Sequence, residues 1–317
     1  MSVRPGLWRY ADWLAVPELP GLSMGEGDTP LLEAEPGVHV KLEFLSPTGS
    51  FKDRGAVMLV ADAVRRGAER LIADSSGNAG SAIAAYAARA RLPCTVFVPE
   101  STSAGKQAQI RAYGATLERV PGDRTATAER AAAEVERTGA TYASHVHDPM
   151  FLEGTKTFAF EVSEQLGRAP DSVLIPVGNG TLLLGAAQGF RKLLADGRID
   201  RLPALIGLQT ERCAPLAAAW DAGLDVPAEI EPKQTAAEGI AIPNPVRGAE
   251  VLAAVRESGG RVVSVPETAI APAARDLARR GLLVEPTAAV AWAARDQAIG
   301  ATVIPLCGSG LKNPPLG

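Results

Sequence analysis

Cysteine and histidine are scarce, at three of each among 317 residues. Cys94, Cys213 and Cys307 lie far apart and in no metal-ligand spacing, which argues against a disulfide framework and against structural zinc. Aromatic residues make up only 5% of the chain, and the formal net charge is −4. With neither a basic face for a phosphate backbone nor stacking platforms for bases, nucleic acid is not an expected partner. Apolar runs are broken by Gly, Pro or charge well short of a bilayer span, and the opening MSVRPGLWRYADWL has no signal-peptide h-region. A cytoplasmic protein with no membrane partner is expected. No G-x-G-x-x-G follows the first strand with an acidic residue at the required distance, which argues against a nucleotide-binding oxidoreductase. His145 and His147 alternate in ASHVHDP. On a strand they would share a face, but no carboxylate or cysteine cluster completes a ligand set. They read as a loop or strand-end pair, and no metal is expected.

What is present is an ordinary globular composition, 46% hydrophobic and 21% charged, with a length that suggests two domains. Short β-branched runs alternate with helical patterns almost to the C-terminus, the signature of parallel α/β units. Strands are expected near 38–44, 70–73, 94–98, 116–120, 172–177, 204–209, 261–265 and 302–306. Val57, Val60, Ala61 and Val64 fall at helical spacing after Lys52, with Gly67 as a stop. Further helices are expected near 81–91, 104–113, 124–138, 153–166, 182–194, 248–258, 267–280 and 287–299. The fold class is α/β, with two domains of parallel-rich twisted sheets flanked by helices. The order of elements suggests a small domain over 53–150 and a large one made of 1–52 plus 151–317. The N-terminal strand could return to either sheet, and a ligand is expected in the cleft between the domains.

Four polar segments carry the chemistry. Ser46–Gly55, SPTGSFKDRG, places Lys52 after a Pro/Gly turn at a helix start. Burial and the positive end of a helix both disfavour an ammonium, so such a lysine can act as nucleophile or base. Taken alone it reads equally as an exposed helix-start lysine paired with Asp53. Ser75-Ser76-Gly77-Asn78-Ala79 joins a strand to an Ala-rich helix and suits a carboxylate, while Gly178-Asn179-Gly180-Thr181 does the same and suits a phosphate. The fourth segment, Cys307-Gly308-Ser309-Gly310, follows the last strand.

In this order and spacing, SPTGSFKDRG, SSGNAGSA, PVGNGT, EPTAA and CGSGLKNP resemble the fold-type II pyridoxal-phosphate-dependent enzymes, and most closely the threonine synthases and their relatives. The resemblance runs from GEGDTPLL near residue 25 to the C-terminus. It implies pyridoxal 5′-phosphate as cofactor in the interdomain cleft, a small amino-acid substrate and a homodimer. It also implies that Lys52 holds the cofactor as a Schiff base and moves the α-proton, that Phe51 lies against the cofactor, and that Asn78 binds its phenolic oxygen. Ser75, Ser76, Gly77 and Ala79 would surround the substrate carboxylate. Gly178, Asn179, Gly180, Thr181 and Leu182 would hold the cofactor phosphate, and Cys307 would face the pyridine nitrogen. A thiol there leaves the ring largely neutral, which suits elimination or replacement better than transamination.

Two positions depart from the synthase pattern. The synthases carry an arginine two residues before Glu-Gly-x-Lys-Thr, where this chain has Phe151, and a ring cannot clamp a dianionic phosphate. Ala79 stands where threonine or histidine is usual. Conversion of O-phosphohomoserine to threonine therefore stands beside a second reading, β-elimination or β-replacement on an unphosphorylated substrate such as serine or threonine. The block TAAEGIAIPNP, similar to a stretch of the dehydratases, leans toward the second, whereas the overall resemblance favours the first, which is the expected activity and for which Lys156, His145 or His147 would have to replace the arginine. A binding protein that kept the fold without catalysis is the alternative of another class, and the intact Lys52 and Asn78 argue against it.

Overall fold

A computed structural model of the protein describes residues 6–75, 77–100, 102, 104–122 and 124–312. Strands β1 (Leu31–Glu35) and β2 (Val38–Lys41) precede helix α1 (Lys52–Arg65), β3 (Leu71–Ala73), α2 (Asn78–Arg89), β4 (Cys94–Pro99), α3 (Ala104–Ala112), β5 (Thr116–Val120), α4 (Arg124–Thr138) and β6 (Thr141–Tyr142). Then come α5 (Pro149–Thr155), α6 (Thr157–Leu166), β7 (Ser172–Pro176), α7 (Thr181–Ala195), β8 (Ala204–Thr210) and α8 (Pro215–Asp221). The chain continues through α9 (Gly248–Glu257), β9 (Arg261–Val265), α10 (Ile270–Arg279), α11 (Pro286–Ala293) and β10 (Thr302–Pro305). These elements divide into two compact units, Met1–Asp28 with Ser46–Gly154, and Thr29–Leu45 with Thr155–Gly317. Residues 1–28, 46–52 and 151–154, which element order alone assigns to the large domain, group with the smaller unit.

The first unit holds a parallel four-stranded sheet in the order β5-β4-β3-β6. Helix α1 exceeds the single apolar face read from its spacing: Ala56 through Ala61 are all fully buried, as expected of a helix apolar on every side. The N-terminal segment is fastened to this unit by buried Glu26. Its carboxylate accepts hydrogen bonds from Trp8 Nε1, Tyr86 Oη and the Met24 amide, each at 2.8 Å. Charge-assisted bonds of this kind satisfy a carboxylate that would otherwise be costly to bury.

The second unit is built on a six-stranded sheet in the order β1-β2-β10-β7-β8-β9. All its pairs are parallel except β1 with β2, so the N-terminal strand returns to this sheet, beside β10. Lys41 on β2 and Glu161 on α6 form a fully buried ion pair at 2.8 Å, and Gln165 adds an acceptor to Lys41 at 3.0 Å. The expected helix over 153–166 is two helices. The first starts earlier, at Pro149, where Asp148 Oδ1 accepts from the Met150 amide at 2.9 Å and proline takes the first helical position. Strands β1 and β6 and helix α8 add to the elements expected from the sequence.

Candidate active site

In the first unit, the turn before α1 is held by Asp53. Its carboxylate accepts from the Thr48 amide at 2.7 Å and from Thr48 Oγ1 at 2.6 Å, while the Gly49 amide closes on the Ser46 carbonyl at 2.7 Å. Asp53 thus secures the loop that presents the next-door amine. Lys52 is the first residue of α1 and half-buried, with Nζ 4.4 Å from the Phe51 ring centroid and 5.8 Å from that of Phe151. Two aromatic faces therefore border the amine. Phe151 is completely buried, and its ring fills the space a side chain at residue 55 would need: a β-carbon on Gly55 would lie 2.5 Å from Phe151 Cδ1. One turn on, a β-carbon on Gly154 would overlap the Arg54 carbonyl oxygen at 1.8 Å, so α5 meets α1 backbone to backbone. Small residues at both crossing points bring Phe151 up to the start of α1.

His145 packs edge-on against Phe151, with ring centroids 5.9 Å apart and planes at 71°. It lies in the turn after β6 and is buried, while His147 is exposed, so the two do not act as a pair. Burial first, and then the positive charges of Lys52, Arg124 and His147, hold the His145 imidazole well below the ordinary histidine range. Its Nδ1 is buried without a hydrogen-bond partner, as is Ser50 Oγ.

The loop from β3 to α2 is shaped by Gly80, since a β-carbon there would lie 1.8 Å from the Ser75 carbonyl oxygen. Gly77 precedes α2 in extended conformation, and a β-carbon on it would meet nothing, so the loop faces open space at the start of the helix. Ser75 and Ala79 are buried and Asn78 is half-buried; Ser76 lies outside the described residues. Such a loop can receive a carboxylate.

In the second unit, five segments meet in a chain of contacts. Gly180 precedes α7 with φ +82°, and a β-carbon on it would lie 2.2 Å from Val251 Cγ2. Gly178 presses on 239–242, where a β-carbon would lie 3.2 Å from Ile240 Cα and 3.3 Å from the Gly239 oxygen. The Gly239 amide donates to Thr287 Oγ1 at 3.2 Å, and the Glu285 amide, at the start of α11, donates to the Gly308 carbonyl at 2.9 Å. A β-carbon on Gly308 would lie 2.4 Å from the Glu285 carboxylate. Cys307 is buried and donates weakly from Sγ to the Pro305 carbonyl at 3.4 Å. Gly178, Asn179, Gly180, Thr181, Leu182 and Cys307 thus belong to one assembly of blocks. Glu285, Thr287 and Gly239 join it, although only their motifs, and not their roles, stand out in the sequence. The arrangement fits a phosphate-bearing ligand. Glycines bring the backbone in close, the first amides of the 15-residue helix α7 lack intrahelical partners, and Asn179 Oδ1 is buried without a hydrogen-bond partner. A flip of the Asn179 amide would present two donors at that point.

The sequence pattern of the family described as pyridoxal-phosphate dependent enzyme matches residues 22–308. The chain belongs to this family. Its cofactor is pyridoxal 5′-phosphate, and its activity falls in the lyase and synthase class of threonine synthase-like enzymes. It is 36% identical to a threonine synthase of Methanosarcina acetivorans over 302 residues, which covers 91% of this chain and 74% of that protein. It is 35% identical to the Methanocaldococcus jannaschii threonine synthase, over 98% of this chain and 81% of that one. Among solved structures, a threonine deaminase from T.th. superposes with a TM-score of 0.74 at 29% identity, covering 86% of this chain and 87% of the other. The architecture is that of the fold-type II pyridoxal-phosphate enzymes. Among the described residues, no helix is long and apolar enough to cross a membrane.

Proposed function

We propose that the protein catalyses pyridoxal-phosphate-dependent elimination or replacement on a small L-amino acid whose side chain carries no phosphate. The observation that supports this reading most is Phe151. It is fully buried, locked against Gly55, and 5.8 Å from the Lys52 amine, and an apolar ring beside the reacting amine offers a substrate phosphate no charge-assisted donor.

In this reading Lys52 holds the cofactor covalently and carries the α-proton, with the aromatic rings of Phe51 and Phe151 bordering its amine. Ser75, Ser76, Gly77 and Ala79 bind the substrate carboxylate, and Asn78 orients the cofactor from the start of α2. The loop of Gly178, Asn179, Gly180, Thr181 and Leu182 takes the phosphate. Bound pyridoxal phosphate supplies the electron sink that lets the α-proton leave. Cys307, set against the ring nitrogen, would give it no carboxylate to hold a proton, an environment that suits elimination or replacement better than transamination. The enzyme would act as a cytoplasmic homodimer.

The sequence similarity to threonine synthases favours a second reading, conversion of O-phosphohomoserine to threonine and phosphate. Titration of the visible absorbance with phosphohomoserine, serine and threonine, followed by product analysis, separates the two. Tighter binding and efficient turnover of phosphohomoserine would replace the first reading with the second.

A further inference from the structure

The buried imidazole of His145 carries an unpartnered polar atom. It is 7% exposed, its Nδ1 has no hydrogen-bond partner, and its ring rests on Phe151, the same ring that borders the Lys52 amine. Buried polar atoms are seldom left unpartnered, because each costs roughly 1–3 kcal/mol when desolvated without compensation. A partner from outside the chain is therefore called for, and its chemistry is constrained. The imidazole stays neutral first of all through burial. A neutral ring offers one donor and one acceptor, the complement of a hydroxyl, which also does both. A phosphate dianion only accepts, and would leave the acceptor nitrogen of a neutral ring unpaired.

We propose that His145 is a specificity-determining residue that hydrogen-bonds the side-chain hydroxyl of the amino-acid substrate, with Phe151 packing against the substrate's apolar part. The inference rests on the reading of an unphosphorylated substrate and deepens it by naming the class, β-hydroxy amino acids. Selection arises because a hydroxyl satisfies Nδ1, whereas an aliphatic side chain leaves it unpaired.

The test compares L-serine with L-alanine, and L-threonine with L-2-aminobutyrate, by the rapid absorbance change on mixing with holoenzyme before turnover. In the native enzyme the hydroxylated member of each pair binds about tenfold tighter, the worth of one hydrogen bond near 1.4 kcal/mol. His145→Leu abolishes that preference while leaving alanine affinity within about twofold of native, and His145→Asn, which keeps a polar atom close to Nδ1, restores part of it. With β-chloroalanine, which has no hydroxyl, kcat/KM of His145→Leu stays near native while that for serine falls about tenfold. Thermal unfolding of both variants tells a misfolded protein from a specific loss. An unchanged preference in a folded His145→Leu protein would mean that Nδ1 serves only a buried water, and would overturn the inference. Native enzyme that prefers phosphohomoserine would instead overturn the underlying substrate reading, whatever His145 does.

Discussion

Gly55 and the ring of Phe151 occupy one shared volume, since a β-carbon at residue 55 would sit 2.5 Å from Phe151 Cδ1. Gly55→Ala must displace a fully buried ring and is expected to cost about 1–3 kcal/mol, the usual penalty for overpacking. Urea titration reads the loss. Combining it with Phe151→Leu should recover part of it, because the two positions touch. Additive losses would mean that the ring does not depend on the missing side chain.

Borohydride reduction of the holoenzyme should fix the cofactor to a single peptide containing Lys52. Lys52→Ala should retain weak cofactor binding through the 178–181 loop and lose turnover. Mass spectrometry of the reduced, digested protein checks this, and labelling of another lysine would reassign the site.

Cys307→Ser should keep most of the activity, because a neutral hydrogen-bonding group remains. Cys307→Asp should favour a protonated ring nitrogen and move the partition toward transamination, seen as keto acid formed with pyridoxamine phosphate. A serine variant as inactive as Lys52→Ala would give the thiol a direct part in the chemistry.

Lys41 and Glu161 are an ion pair with neither side chain exposed. Lys41→Met strands a buried carboxylate and is expected to cost about 3–5 kcal/mol, whereas Lys41→Met with Glu161→Leu should regain most of that loss. Denaturant unfolding of the three proteins measures the difference.

Burial pushes the Cys94 thiol up to about 12. A raised thiol pKa means that the folded state keeps its proton where the unfolded chain, near its ordinary value of about 8.5, has released it. The contribution to stability is therefore complete below the unfolded value and is lost as pH rises toward the folded one. Iodoacetamide should leave Cys94 unmodified at pH 8 in the native protein and label it after denaturation, as followed by peptide mapping.

Much of the fold is legible in the sequence because central strands of parallel sheets are buried apolar runs, and the expected 94–98, 172–177 and 302–306 fall on β4, β7 and β10. β1 is not, since LLEAE has no β-branched residue and is only partly covered. α5 begins ahead of its apolar periodicity because Asp148-Pro149 is itself a helix-start signal, independent of that pattern. At the site, the motifs locate Lys52 and the two glycine loops. They do not reveal that Phe151 lies on Gly55 or that Glu285 adjoins Gly308, because these contacts join residues far apart in the chain. His145 reads as a loop histidine because burial cannot be seen in an isolated residue.

Strand β1, antiparallel to β2, bears on how copies of the protein can meet. β1 ends the large sheet beside β2, its register slips between Glu33 and Glu35, and it carries those two carboxylates along the border. Arg280 covers this margin, donating to the Ala34 carbonyl at 3.1 Å and to Glu35 at 2.9 Å, and an irregular border whose backbone is already engaged is a poor template for another chain. Any self-association on this side must therefore be made by side chains meeting face to face, and not by continuing the ladder from one molecule into the next.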